Sequence, residues 1–161
     1  MPRPVPSVES AAPIIEVWSR LPRLAHLVFT ATPGPRSRTG WAGHGEARIE
    51  SSHDPDGVRL HEHGLFTPQT TGTPVAFRNV YRWVNHSDRL SLWHERFGRD
   101  AAVWLFDLTA TDTDELATVE AHLCGADRYD ARLSLTTEGF ELHWSITGPS
   151  KDETLVYRYH A

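Results

Sequence analysis

The chain has 161 residues, 39% hydrophobic and 23% charged, with a mean hydropathy of -0.43. This is the composition of one globular domain, and it excludes wholesale disorder and a membrane-spanning helix. The formal net charge of -5, with arginines scattered, argues against non-specific nucleic-acid binding, which needs a basic stripe.

Four prolines fall within residues 1–13, beside Ser7, Ser10 and two alanines, and predict a disordered tail ahead of a single domain over 14–161. Apolar positions Ile14, Val17, Trp18, Leu21, Leu24 and Leu27 follow a helical period, and Pro22 breaks it. The expectation is a short helix to about Leu21, a bend, and a first strand over 26–32.

From Trp41 the pattern is all-β, with strands at about 41–50, 58–67, 75–85, 89–97, 102–109, 116–124, 129–136, 139–147 and 153–160. Short turns join them, among them Asp54-Pro55-Asp56-Gly57, Asn85-His86-Ser87-Asp88 and Thr137-Glu138-Gly139. Nine or ten consecutive strands with tight turns predict an up-and-down antiparallel barrel, because closure removes unpaired edges. A β-sandwich or a cupin-like roll is the alternative. An N-terminal helix followed by such a meander resembles the calycins, the lipocalin and fatty-acid-binding superfamily, and implies an interior that holds one small ligand.

Period-two alternation sorts the side chains. The expected interior faces are Trp41, Gly43, Gly45, Ala47, Ile49; Val58, Leu60, Glu62, Gly64; Phe77, Asn79, Tyr81, Trp83; Tyr129, Ala131, Leu133, Leu135; and Phe140, Leu142, Trp144, Ile146. Glu62 is the odd member, since an unpaired carboxylate is costly in an apolar core and tolerable beside a polar ligand or water. Gly43, Gly45 and Ala47 leave room on one strand.

Three clusters carry chemical potential. His61-Glu62-His63 places two histidines on one strand face, as in a cupin metal site, but no downstream Glu completes the set, and Arg59 shares that face. No metal is expected there. His122-x-Cys124 would put imidazole and thiol on one face, close to Asp127 and Tyr129, without an assignable oxyanion element. Lys151, in Gly148-Pro149-Ser150-Lys151-Asp152, could close a barrel mouth over an anion. The single cysteine precludes an internal disulfide, and the N-terminus lacks a signal-peptide apolar run, so a cytoplasmic location is the default expectation.

Arg78-x-x-Tyr81-Arg82-Trp83, Phe97-Gly98-Arg99, His122-x-Cys124-x-x-Asp127-x-Tyr129 and Gly148-Pro149-x-Lys151-Asp152 together resemble a family of small bacterial and eukaryotic proteins called domain of unknown function 6314. The resemblance spans about 41–159 and implies that His122, Cys124, Asp127, Tyr129 and Lys151 form one recurrent site or one recurrent structural lock. It implies no activity and no cofactor.

The leading functional expectation is a barrel binding a small, partly apolar ligand, with no nucleic-acid or membrane partner. Tyr81, Trp83, Tyr129 and Trp144 would be walls, Arg78, His122 and Lys151 polar anchors, and Cys124 a neighbour. The alternatives are a calycin-like isomerase, cyclase or decarboxylase using His122 with Glu62 or Asp127, with Tyr129 as proton donor, and a haem-binding barrel. Of the ten histidines, whose protonation would reverse the sign of the net charge, His122 stands in the densest polar motif.

Overall fold

The computed structural model describes residues 8–118 and 122–161, and the side chains of residues 11–118 and 125–161. Helix α1 spans Val8–Arg20 and is followed by a 3-10 turn, Leu21–Arg23. The helix therefore begins inside the segment expected to be a disordered tail. Ile14, Val17, Leu21 and Leu24 are buried, whereas Ile15 and Glu16 face solvent, so one apolar stripe docks and the opposite face is solvated.

Eleven strands follow: β1 His26–Pro33, β2 Gly43–Asp54, β3 Gly57–Pro68, β4 Val75–Asn85, β5 Leu90–His94, β6 Val103–Asp112, β7 Glu115–Ala117, β8 His122–Cys124, β9 Asp127–Leu135, β10 Gly139–Thr147 and β11 Asp152–His160. All the pairings are antiparallel, and β11 pairs with both β10 and β1, which closes the sheet. The single strand expected at 116–124 is two pieces. β7 pairs with Arg132–Ser134 of β9 and β8 with Asp127–Tyr129, so both lie along the same edge of β9 and share one place in the ring. The result is a ten-strand up-and-down closed barrel with one short N-terminal helix.

α1 packs against β6, β7 and β10. The Arg20 guanidinium donates to Thr136 O at 2.5 Å and Gly139 O at 2.7 Å, which ties the helix to the β9–β10 turn. The following chain reaches across to β2, where Ser51 Oγ donates to Pro22 O at 3.2 Å and Ile49 N–H to Ala25 O at 2.9 Å. Helix and 3-10 turn thus span this end of the barrel. The interior beneath them is apolar: Leu27, Leu60, Trp83, Leu92, Leu108, Leu116, Leu133 and Phe140 are wholly or almost wholly buried.

The alternation reading of the walls holds with one exception. Trp41 lies outside β2 and is 41% exposed, with the Lys151 ammonium 5.5 Å above its ring. The room left by Gly43 and Gly45 is occupied. A Cβ on Gly45 would come 2.3 Å from the Phe29 ring, and one on Gly43 2.8 Å from Phe66. These glycines seat the stacked pair Phe29 and Phe66, whose ring centroids are 5.9 Å apart.

Gly57, in the β2–β3 hairpin, is a tight turn position. Its φ is 134°, and a Cβ there would meet Trp83 O at 2.2 Å. Both the left-handed backbone and the lack of space require glycine. We expect Gly57→Ala to cost about 3 kcal/mol of unfolding free energy in urea titrations. A loss within ~0.5 kcal/mol would mean that the hairpin relaxes freely.

Candidate functional site

Halfway along the barrel the interior turns polar. Glu62 on β3 is fully buried, and the Tyr159 hydroxyl donates to its Oε2 at 2.7 Å. Asn79 is its register partner on β4. Burial drives the Glu62 carboxyl up to about 8, against the opposing pull of hydrogen bonds from Tyr159 and Asn79. Its Oε1 has no well-formed hydrogen bond among the described residues.

Asn79 Oδ1 also faces His94 Nε2 at 3.1 Å, and the His94 ring stacks on Tyr81 at 4.7 Å. Burial lowers the His94 pKa, and the nearby Arg96 charge lowers it further. Tyr81 meets Trp144 and Tyr157 edge-on at 6.4 Å each, and Trp144 meets Tyr157 at 5.5 Å. Burial pushes the Tyr81, Tyr157 and Tyr159 hydroxyls upward, and the Glu62 charge adds to this in each, so the three phenols and the carboxyl share one electrostatic neighbourhood. The buried Trp144 Nε1 also lacks a partner among the described residues. One carboxyl, one histidine, one amide, three phenols and an indole N–H therefore form a polar belt inside an aromatic wall.

The residues expected from sequence divide between this belt and the far end of the barrel. Glu62, Tyr81 and Trp144 belong to the belt. Trp83 lies in the apolar layer under the helix, edge-on to Phe140 at 5.8 Å. Tyr129 is half-buried on β9 opposite Ile146, packed on the rim of the core. Arg78 is exposed on β4. Asp127 and Lys151 form an ion pair of 2.9 Å that joins the β8–β9 and β10–β11 turns. Gly148 makes this possible, because a Cβ there would sit 2.2 Å from Asp127 Oδ1. The β8 backbone sets His122 opposite Tyr129 and Cys124 opposite Asp127, while the His122 and Cys124 side chains lie outside the described residues. Asp127 is thus engaged by Lys151 on β9, on the opposite side of the ring from Glu62 on β3, and the two carboxyls are not brought together.

Tyr157, Tyr159 and His94 complete the neighbourhood from outside the sequence candidates, together with Asn79 from the expected inner face of β4 and with Arg96, an arginine the sequence also offers for carboxylate recognition. Alternation in Glu153, Leu155, Tyr157, Tyr159 and in Leu90, Leu92, His94 carries the signal for most of them. His94 is the one described histidine that faces the interior, and its Nε2 is engaged by Asn79. His61 and His63 lie on the outer face, where His61 Nε2 contacts Ser52 Oγ at 3.0 Å. No group of His, Cys, Asp and Glu suited to a metal ion occurs among the described residues.

The fold and this belt define a class: a closed antiparallel β-barrel with a polar, aromatic-walled interior. The chain belongs to the family of unknown function DUF6314, matched over residues 32–161. No curated protein and no solved structure matches it.

Proposed function

We propose that the protein binds a small, partly apolar molecule inside the barrel. The observation that carries this reading is Glu62, a fully buried carboxyl with one oxygen short of a well-formed hydrogen bond among the described residues. A core built only for stability gains nothing from such a group, whose burial without a partner costs a few kcal/mol. Its neighbours supply the rest of a binding wall. Trp144 Nε1 is another buried polar atom without a partner among the described residues, and both groups border Tyr81 and Tyr157. A ligand with one polar acceptor or donor and an apolar body would meet the carboxyl or indole N–H and pack against these rings. A ten-strand bore also exceeds the eight-strand bore that side chains alone fill.

Thermal unfolding with the neutral apolar probe N-phenylnaphthylamine, alongside native mass spectrometry of freshly purified protein, tests this. Saturating probe should stabilise the wild type by about 2 kcal/mol or more. Ala131→Phe, which places a ring beside the cross-strand Trp144, should abolish that gain. A wild type that neither retains a small molecule nor responds to the probe would overturn the reading.

A further inference from the structure

The wall of the barrel has a gap beside the polar belt. β4 pairs with β3 along 75–83, but its pairing with β5 begins only at Tyr81 opposite His94. Glu95 N–H donates to Val80 O at 2.7 Å, and before that point no strand pairs on this side of β4 among the described residues. The cause is length: β5 ends at His94, and the chain turns away through Gly98, whose φ is 97°. A cavity of about 490 Å³ lies against this edge. Its lining takes Phe77 and Asn79 from the inner face of β4, Arg78 from the outer face, and Arg96 and Phe97 from the following loop. It therefore reaches from solvent to Asn79, whose side chain bonds His94.

The opening is cationic, and its two arginines are among those that no carboxylate neutralises among the described residues. Arg59 and Arg82 are bound to Glu95, Arg89 to Asp88 and Asp107, Arg132 to Glu115, and Arg158 to Glu141. Arg78 and Arg96 have no acidic partner among the described residues, although the chain as a whole is acidic. Arg96 sits 5.3 Å above the Phe97 ring, and its charge reaches His94 and Tyr81 inside. Phe97 itself is 81% exposed, an apolar surface at the lip of a cationic gap.

We infer that this lateral gap admits the ligand and selects an organic anion, with Arg78 and Arg96 holding a carboxylate or sulfonate and the apolar body entering past Phe77 and Asn79. The inference rests on the reading of the interior as a ligand site and adds the ligand's charge and its route. Two guanidinium groups in the mouth of one cavity provide forked donors that match a planar carboxylate. The buried, aromatic-walled interior around Glu62 penalises any charge, so the anionic group belongs at the gap and the apolar part inside.

Two fluorescent probes of similar shape separate the parts of the argument. Anilinonaphthalene sulfonate carries an anionic group, and N-phenylnaphthylamine does not. Arg78→Gln with Arg96→Gln should weaken sulfonate binding by about ten-fold or more and leave the neutral probe within about two-fold. Wild-type affinity for the sulfonate should fall as salt is raised, and that for the neutral probe should not. If both probes bind and neither responds to the double variant, the anion assignment is overturned while the interior site stands. If the wild type binds neither probe, both are overturned.

Discussion

Replacing Glu62 with glutamine should abolish most of the loss of stability that the wild-type protein shows between about pH 5 and pH 9. The sign follows from the direction of the shift. Burial raises the folded-state value to about 8 from an ordinary 4.5. Below the ordinary value both states hold the proton, and the group has no pH-dependent effect. As pH rises past it, the unfolded chain releases the proton while the folded chain keeps it, so stability falls until the folded carboxyl also ionises near 8. The full shift corresponds to roughly 5 kcal/mol as an upper limit. Glutamine keeps the shape and still accepts the Tyr159 hydrogen bond but cannot ionise. Urea titrations of both proteins across this range decide the matter. Parallel stability curves for wild type and Glu62→Gln would show that the carboxyl reaches water or a counter-charge.

Glu95→Ala should cost about 3 kcal/mol, the second large effect. Glu95 is 3% exposed and lies on the outer side of the barrel, where its Oε1 accepts from Arg59 Nε at 2.6 Å and its Oε2 from Arg82 Nε at 2.8 Å. Arg59 also binds Asp54, and Arg99 binds Asp56, so one cluster ties the β2–β3 hairpin to β4 and to the loop after β5. Arg82 further stacks over Trp93 at 5.1 Å. Removing the carboxylate leaves two largely buried guanidinium groups short of a counter-charge, which is where a broken buried ion pair is most destabilising. Arg59 keeps Asp54 and Asp56, which places the cost toward the low end of the range. Burial raises the Glu95 carboxyl, but Arg59 and Arg82 outweigh it and hold it below its ordinary value. The stability it contributes is therefore present above the ordinary carboxylate range and lost as pH falls through its folded value. The melting temperature should drop by roughly 6–12 °C near neutrality, and the gap between the two proteins should narrow in acid. A drop below ~2 °C would mean that the cluster is a solvated surface network.

These two glutamates show how differently a sequence exposes its chemistry. Glu62 stands out in the alternation because it breaks an otherwise apolar face between Leu60 and Gly64. Glu95 follows a strand end in a turn-rich stretch, where nothing local distinguishes a buried carboxylate from a solvated one. Its partners Arg59 and Arg82 come from β3 and β4, and only strand register sets them side by side. The same holds for the Asp127 and Lys151 pair. The motif pattern joined these two positions as one unit, and the geometry supplies an ion pair between two turns.

The sequence by itself determined most of the strands, their tight turns and nearly all of the inward faces, and favoured a closed meander over a sandwich or roll, because side-chain alternation and turn chemistry are local properties. It also marked Glu62 as a polar group in an apolar setting. Only the tertiary structure decided which groups surround that carboxyl. Tyr159 lies 97 residues away in the chain, and His94 joins through Asn79 across a strand pair. It also decided where the wall is incomplete, because the gap beside Arg78 and Arg96 arises from a mismatch in length between β4 and β5. Barrel closure fixes which distant residues meet inside and where one strand outruns its neighbour. Neither is encoded in any single segment of the chain.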